Sequence, residues 1–196
     1  MKNQMKSIVV FILSFILAIL NPIVTGCSGR MTMKVTNWQR QRVIRMEIED
    51  EVSRYLARFG SPVPADTLMM VCLRDGLDIT MTLAQGELES GLGTRGRSRW
   101  TGSIWGVGAW DGDHAHRSIR YTSPGHAAEH YSSLIRKRYI APGMTHTDLM
   151  RGFVDVNGKR YAADPDYEWK LRDRYNYILT HTKIDSLQKE YKKFGK

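Results

Sequence analysis

The chemically suggestive part of this chain is one run of eleven residues, Leu83-Ala84-Gln85-Gly86-Glu87-Leu88-Glu89-Ser90-Gly91-Leu92-Gly93. As a helix, it turns Leu83 and Leu88 inward and ends in Glu-Ser-Gly. Glu89 then stands at the mouth of whatever groove the following loop lines. Gln85 lies four residues earlier and shares that face, which makes it a candidate substrate contact, whereas Glu87 points elsewhere. A glutamate at the edge of an apolar groove has its charged form disfavoured by desolvation. Its pKa rises, and it becomes a proton donor near neutral pH. On spacing alone, a solvated helix-end glutamate is the simpler account.

Other reactive groups offer less. His126 and His130 are four apart on a predicted helix and His114 and His116 flank Ala115, but no third ligand stands out and no His-Glu-x-x-His occurs. No metal site is predicted and no cofactor is implied. Ser90 and Cys72 lack a His/Asp partner pattern for nucleophilic catalysis, and Cys72, within Leu68–Leu73, reads as a small core hydrophobe. The basic runs Arg136-Lys137-Arg138 and Lys189–Lys196 suit a membrane surface or the carboxylates of a polymer. No nucleic-acid motif accompanies them.

The elements that must position Glu89 are mostly helical. Asn37 can cap a helix running to about Phe59, with Ile44, Ile48, Val52, Tyr55 and Phe59 recurring at helical spacing; Gly60, Pro62 and Pro64 stop it. Asp66 can cap a second helix through about Arg74, and Ile79 begins the one that carries Glu89. Gly91, Gly93, Gly96 and Gly102 argue against helix up to about Ser123. Ser123-Pro124 then starts a helix to about Tyr139 with Ala127, Tyr131, Leu134 and Ile135 inside. Thr147–Phe153 suggests a short helix or turn, and Val154–Gly158 a strand entering a tight turn. Asp164-Pro165 precedes a last helix with Tyr167, Leu171, Tyr175 and Ile178 buried, which Ile184, Leu187 and Tyr191 extend into a basic tail. The predicted fold is mainly α (α+β), with one small irregular or β lobe.

The 196 residues suit one domain, and an apolar fraction of 42% with 25% charged residues excludes wholesale disorder. The N-terminus stands apart. Lys2 and Lys6 precede an uncharged run with its apolar core at Ile8–Leu20, too short for a comfortable bilayer span and broken by Asn21-Pro22. Val24-Thr25-Gly26-Cys27 resembles a bacterial lipobox, which implies cleavage before Cys27 and lipid on that cysteine; the alternative is an uncleaved anchor. Removing residues 1–26 takes away two lysines and no acids, so the net charge falls from +9 to +7. The expected organisation is a signal peptide over 1–26, a tether over 27–36, an N-terminal helix and linker over 37–66, a main domain over 67–180 and a basic, helical tail over 181–196.

From about Thr67 to Ile178 the sequence resembles the glucosaminidase-type peptidoglycan hydrolases, glycoside hydrolase family 73 of the lysozyme-like superfamily. Leu83–Gly93 is similar to that family's Leu-Ala-Gln-Ala-x-Leu-Glu-Ser-Gly-x-Gly helix. Ser103-Ile104-Trp105-Gly106-Val107-Gly108-Ala109 resembles its Asn-Asn-aromatic-Phe-Gly-Ile-Lys segment. Tyr121-Thr122-Ser123-Pro124 with Ala127 and Tyr131, and Tyr161-Ala162-Ala163-Asp164-Pro165-Asp166-Tyr167 with Lys170-Leu171, resemble two further blocks in the same order. The resemblance implies a lysozyme-like helical domain with Glu89 as the catalytic acid, Tyr161 as a tyrosine close to the scissile bond, and Trp105 in the sugar groove. The alternative for Tyr161 is that it merely introduces the cap at Asp164. Ser103 stands where Asn is usual and Ala109 where Lys is common, which alters the substrate contacts there.

Flat aromatics with polar tips suit pyranose rings, so Trp105, Trp110 and Tyr121 join Gln85 and Ser103 as candidate substrate contacts. Glycosidases ordinarily use a second carboxyl, and Asp111 or Asp113 in Trp110-Asp111-Gly112-Asp113 can supply it; Asp-Gly-Asp also suits a plain turn. The expected partners are peptidoglycan glycan strands and, through lipid on Cys27, a membrane of the bacterial cell envelope. No nucleic-acid partner is expected. The expected activity is endo-β-N-acetylglucosaminidase. The alternatives are a lytic transglycosylase or muramidase of the same superfamily, and a non-catalytic wall-binding lipoprotein.

Overall fold

The computed structural model describes residues 36–108 and 117–194. Residues 1–35, with the expected signal peptide and Cys27, and Trp110, Asp111 and Asp113 lie outside the described residues. The fold is mainly α. Helix α1 (Asn37–Phe59) is capped by a reciprocal Thr36/Gln39 box and closed by Gly60 at φ 64°. Ile44, Ile48, Val52, Tyr55 and Leu56 form its buried stripe. Helix α2 (Ala65–Asp75) ends at Gly76, also left-handed, and α3 (Ile79–Ser90) begins where the Asp78 carboxylate accepts from the Met81 N–H. Every residue of α3 from Ile79 to Gly86 is buried, the polar Thr80, Thr82 and Gln85 included.

Neighbours enclose α3. Helix α5 (Pro124–Leu134) packs on α2, α6 (Tyr167–His181) packs on α3, and α7 (Ile184–Phe194) packs mainly on α1. Between α3 and α5 runs the glycine-rich segment, interrupted by a single helical turn, α4 (Ser98–Thr101). Among the described residues, no helix is long and apolar enough to cross a membrane.

Several local expectations need correction. The segment over 91–122 is not free of helix, because α4 forms in it. The strand expected over Val154–Gly158 reduces to one isolated antiparallel bridge, Val154 with Arg160; Asp155 instead folds its carboxylate onto the Asn157 and Lys159 N–H groups. The helix begun at Pro124 leaves the α-helical pattern after Leu134 and widens into a π turn over Ile135–Tyr139. The C-terminal helix is two helices, since Thr182 is extended and its hydroxyl and N–H both bond the Ile178 carbonyl.

Candidate active site

Ser90 closes α3 against the loop that follows. Its hydroxyl donates to the Ile104 carbonyl (2.7 Å) and accepts from the Gly93 N–H (2.8 Å), which fixes the helix end relative to the Ile104–Gly108 segment. Gly86 makes this close approach possible, because a Cβ there would stand 2.9 Å from Ile104 Cδ1 and 3.2 Å from Leu92 Cδ2. The result is a cleft of about 660 Å³ between the loop, the π turn and the start of α6. Its walls include Glu89, Ser103, Trp105, Gly106, Tyr139, Tyr161, Asp164 and Tyr167, with Arg95 and Arg97 adding positive charge.

Glu89 is reachable by solvent from this cleft but is ringed by protein on its other sides. That crowding raises its pKa above the ordinary glutamate value, opposed by a hydrogen bond from the Tyr167 hydroxyl to Oε1 (2.5 Å). Its second oxygen faces Gly106, where a Cβ would stand 3.4 Å away. Glu87, by contrast, faces α1 and α6, where Tyr55 donates to one carboxylate oxygen and Arg174 lies 3.5 Å from the other. The two glutamates of the run thus have separate tasks.

Tyr161 reaches the same cleft from far along the chain. Its hydroxyl donates to the Trp105 carbonyl (3.0 Å), and its ring stacks on Phe153 at 4.5 Å, with Tyr139 and Tyr167 each 5.5 Å away. Burial, then the nearby Glu89 charge, push its pKa well above 10, so the phenol keeps its proton. Asp164, also in the wall, is ion-paired to Lys170 (2.6 Å), accepts from the Asp166 N–H, and is held below the usual carboxylate range.

The other predicted substrate contacts are placed differently. Gln85 is fully buried: it bonds Tyr131 and Tyr167 and does not border the cleft. Trp105 borders the cleft but is 1% exposed, because its indole N–H donates to the Thr82 carbonyl (2.9 Å) and its ring stacks on Tyr131. It forms the floor, and offers no open sugar platform. Ser103 is also at the floor, fully buried, and its hydroxyl has no hydrogen-bond partner. Tyr121 braces the loop from outside. Its N–H donates to the Thr101 carbonyl, and its hydroxyl contacts the Val107 carbonyl and His130 Nδ1.

Sequence reasoning missed Tyr167, Tyr139, Asp164, Arg95 and Arg97 as parts of this wall. Tyr167 was hidden by its place in the apolar stripe of α6, and Asp164 by its resemblance to a helix cap. Cys72 is buried, and burial pushes its thiol up to about 12. A second hollow of about 410 Å³, lined by Asp75, Asp78, Arg136, His146 and Lys192 among others, lies away from Glu89. The larger cleft is the better candidate, because it joins Glu89, an exposed carboxyl of raised pKa, to tyrosine and arginine walls. No protein-family model and no curated protein matches the chain.

Proposed function

We propose that this protein is a peptidoglycan hydrolase, an endo-β-N-acetylglucosaminidase with Glu89 as its general acid. The observation that carries the proposal is the environment of Glu89: open to an extended cleft, yet crowded enough by protein to favour its protonated form. The cleft suits an acidic glycan. Tyr161, half-buried in the wall, offers a ring with a polar tip, and the exposed Arg95 offers charge to the lactyl and peptide carboxylates of the wall polymer.

In this mechanism Glu89 protonates the glycosidic oxygen as oxocarbenium character develops on the departing sugar. Tyr161, which keeps its proton, donates hydrogen bonds rather than acting as a base. Asp164 is engaged by Lys170, so the attacking water is activated by Asp111 or Asp113, or the substrate's own acetamido group assists. Lipid on Cys27 would hold the domain at an envelope membrane, facing its insoluble substrate.

Incubation with purified sacculi, followed by mass spectrometry of released fragments, tests the proposal. Fragments with reducing N-acetylglucosamine ends are expected. Reducing muramic acid or 1,6-anhydro ends would instead assign a muramidase or a lytic transglycosylase, and binding without release a wall-binding lipoprotein. Glu89→Gln keeps shape and hydrogen bonding but removes the proton, and should bind sacculi while losing on the order of 10²–10⁴-fold in turnover. Wild-type turnover in that variant would overturn the role of Glu89.

A further inference from the structure

The carboxyl of Glu89 is the end of a longer buried arrangement. Its Oε1 accepts from Tyr167, whose hydroxyl oxygen is 3.3 Å from Gln85 Nε2. Gln85 Oε1 accepts from the Tyr131 hydroxyl (2.7 Å), and the Tyr131 oxygen lies 3.1 Å from His146 Nε2. The members come from four separate elements: His146 from the 3-10 turn His146–Met150, Tyr131 from α5, Gln85 from α3 and Tyr167 from α6. Gln85, Tyr131, His146 and Tyr167 are all buried.

Counting hydrogens fixes the direction of the three links that end on the carboxyl. A tyrosine hydroxyl has one hydrogen to give. Tyr167 gives its hydrogen to Glu89 and therefore accepts from the Gln85 amide. Tyr131 gives its hydrogen to Gln85 Oε1, and its oxygen contacts His146 Nε2. Burial, partly opposed by the Asp78 backbone, pushes His146 down to about 3, so the ring is neutral with a single N–H. Nδ1 is buried without a hydrogen-bond partner. His146 bounds the far end of the arrangement through Nε2, whichever ring nitrogen carries the hydrogen. The three links from Tyr131 through Gln85 and Tyr167 point the same way, toward the carboxyl, and hydrogen bonds aligned in this manner polarise one another.

We propose that His146, Tyr131, Gln85 and Tyr167 form one positioning chain that holds Glu89 by Oε1 and so assigns the transferable proton to Oε2. Oε2 is the oxygen beside Gly106, an exposed residue of the cleft wall, and a Cβ at Gly106 would reach it at 3.4 Å. The proposal rests on reading Glu89 as the acid of this cleft. It explains why Gln85, on the same face of α3 as Glu89, is buried away from the cleft: the glutamine acts through Tyr167. The titratable groups that share Glu89's surroundings are Tyr167 and Tyr161 from the α6 side, Tyr131 from α5, Tyr139 from the π turn, Arg95 and Arg97 from the loop, and Asp164. Of these, Tyr167 alone hydrogen-bonds the carboxyl among the described residues.

The test is Tyr167→Phe and Gln85→Met in the full chain, singly and together, with two readouts. One is the pH–rate profile on sacculi; the other is the ¹³C titration of the Glu89 carboxyl, which needs no activity. Losing the Tyr167 hydroxyl removes what lowers the Glu89 pKa. The titration and the alkaline limb should therefore both move up by about half a pH unit or more. kcat should fall roughly ten- to a hundredfold through lost positioning, with KM within about twofold. Gln85→Met should shift both readouts the same way by less, and the double variant should match Tyr167→Phe alone. An unmoved carboxyl titration in folded Tyr167→Phe, or additive shifts in the double variant, would overturn the chain. A moved titration with an unmoved alkaline limb would overturn Glu89 as the acid instead.

Discussion

Glu89 and Tyr161 show how differently two residues of one site can be written in a sequence. Glu89 was legible because a helix ending in Glu-Ser-Gly has few places to put its last carboxylate, and Ser90 does fix that end, through the Ile104 carbonyl and the Gly93 N–H. Tyr161 was named only through a resemblance, since nothing in its local spacing says that it stacks on Phe153 and bonds the Trp105 carbonyl. Tyr167 was illegible, and Gln85 was misplaced as a substrate contact, for one physical reason: helical periodicity reports which face is buried, and not which partner a buried polar tip reaches. The Tyr161 hydroxyl offers a clean test at this scale. Tyr161→Phe keeps the ring stack and loses one hydrogen bond, so chemical denaturation should report a loss of about 1 kcal/mol. Because the phenol does not titrate near neutrality, activity should fall about tenfold with no movement of either limb of the pH–rate profile. An acidic limb that vanishes in this variant would show that the tyrosine serves as the base after all.

At the scale of elements, the helices were largely readable and the segments between them were not. The inner stripe of α1 and the Gly60 and Gly76 stops follow from 3.6-residue spacing and from glycine's freedom at positive φ. The π turn after Leu134 and the break at Thr182 depend on how each helix meets its neighbours, which no local pattern encodes. The junction of α3 with its loop is set by an absent methyl group. Gly86→Ala would gain up to about 1 kcal/mol in helix propensity. Its Cβ would press into Ile104 and Leu92, both buried and unable to swing away, and overpacking of this kind costs about 1–3 kcal/mol. The net expectation is a protein destabilised by roughly 1 kcal/mol, with the Ile104–Gly108 segment displaced from Glu89 and turnover reduced more than stability. Equilibrium urea unfolding beside sacculus turnover checks this, and a more stable, fully active variant would show that Ile104 can give way.

For the whole molecule, composition excluded disorder and the helical pattern predicted a mainly α fold, but long-range ion pairs between elements were beyond it. Asp75, at the end of α2, is held by both arms of Arg74, accepts from Ser132 on α5, and lies 3.4 Å from Arg136 in the π turn. Arg74 in turn reaches Glu129 on α5, so one cluster ties α2 to α5. These partners, Arg74 first, hold Asp75 at about 2, below its unfolded value of about 3.9. A depressed carboxylate adds stability that is fully present above the unfolded value and is lost as pH falls through the folded one. Glu89 has the opposite sign: its raised pKa adds stability at low pH that is lost as pH climbs through the folded value. The acid side of the stability curve should therefore be governed by the ion-paired carboxylates and not by Glu89. Asp75→Asn keeps an acceptor for Ser132 but discards the charge. Urea unfolding at pH 7, 4 and 2 should find the variant less stable at pH 7, with the gap closing between about pH 4 and pH 2 as the wild-type carboxylate is protonated. Added salt should narrow the gap at pH 7, because the Arg74 side of the cluster is half exposed. A gap that stays constant from pH 7 to pH 2 would mean that Asp75 stabilises the α2–α5 contact by shape and hydrogen bonding, with no contribution from its charge.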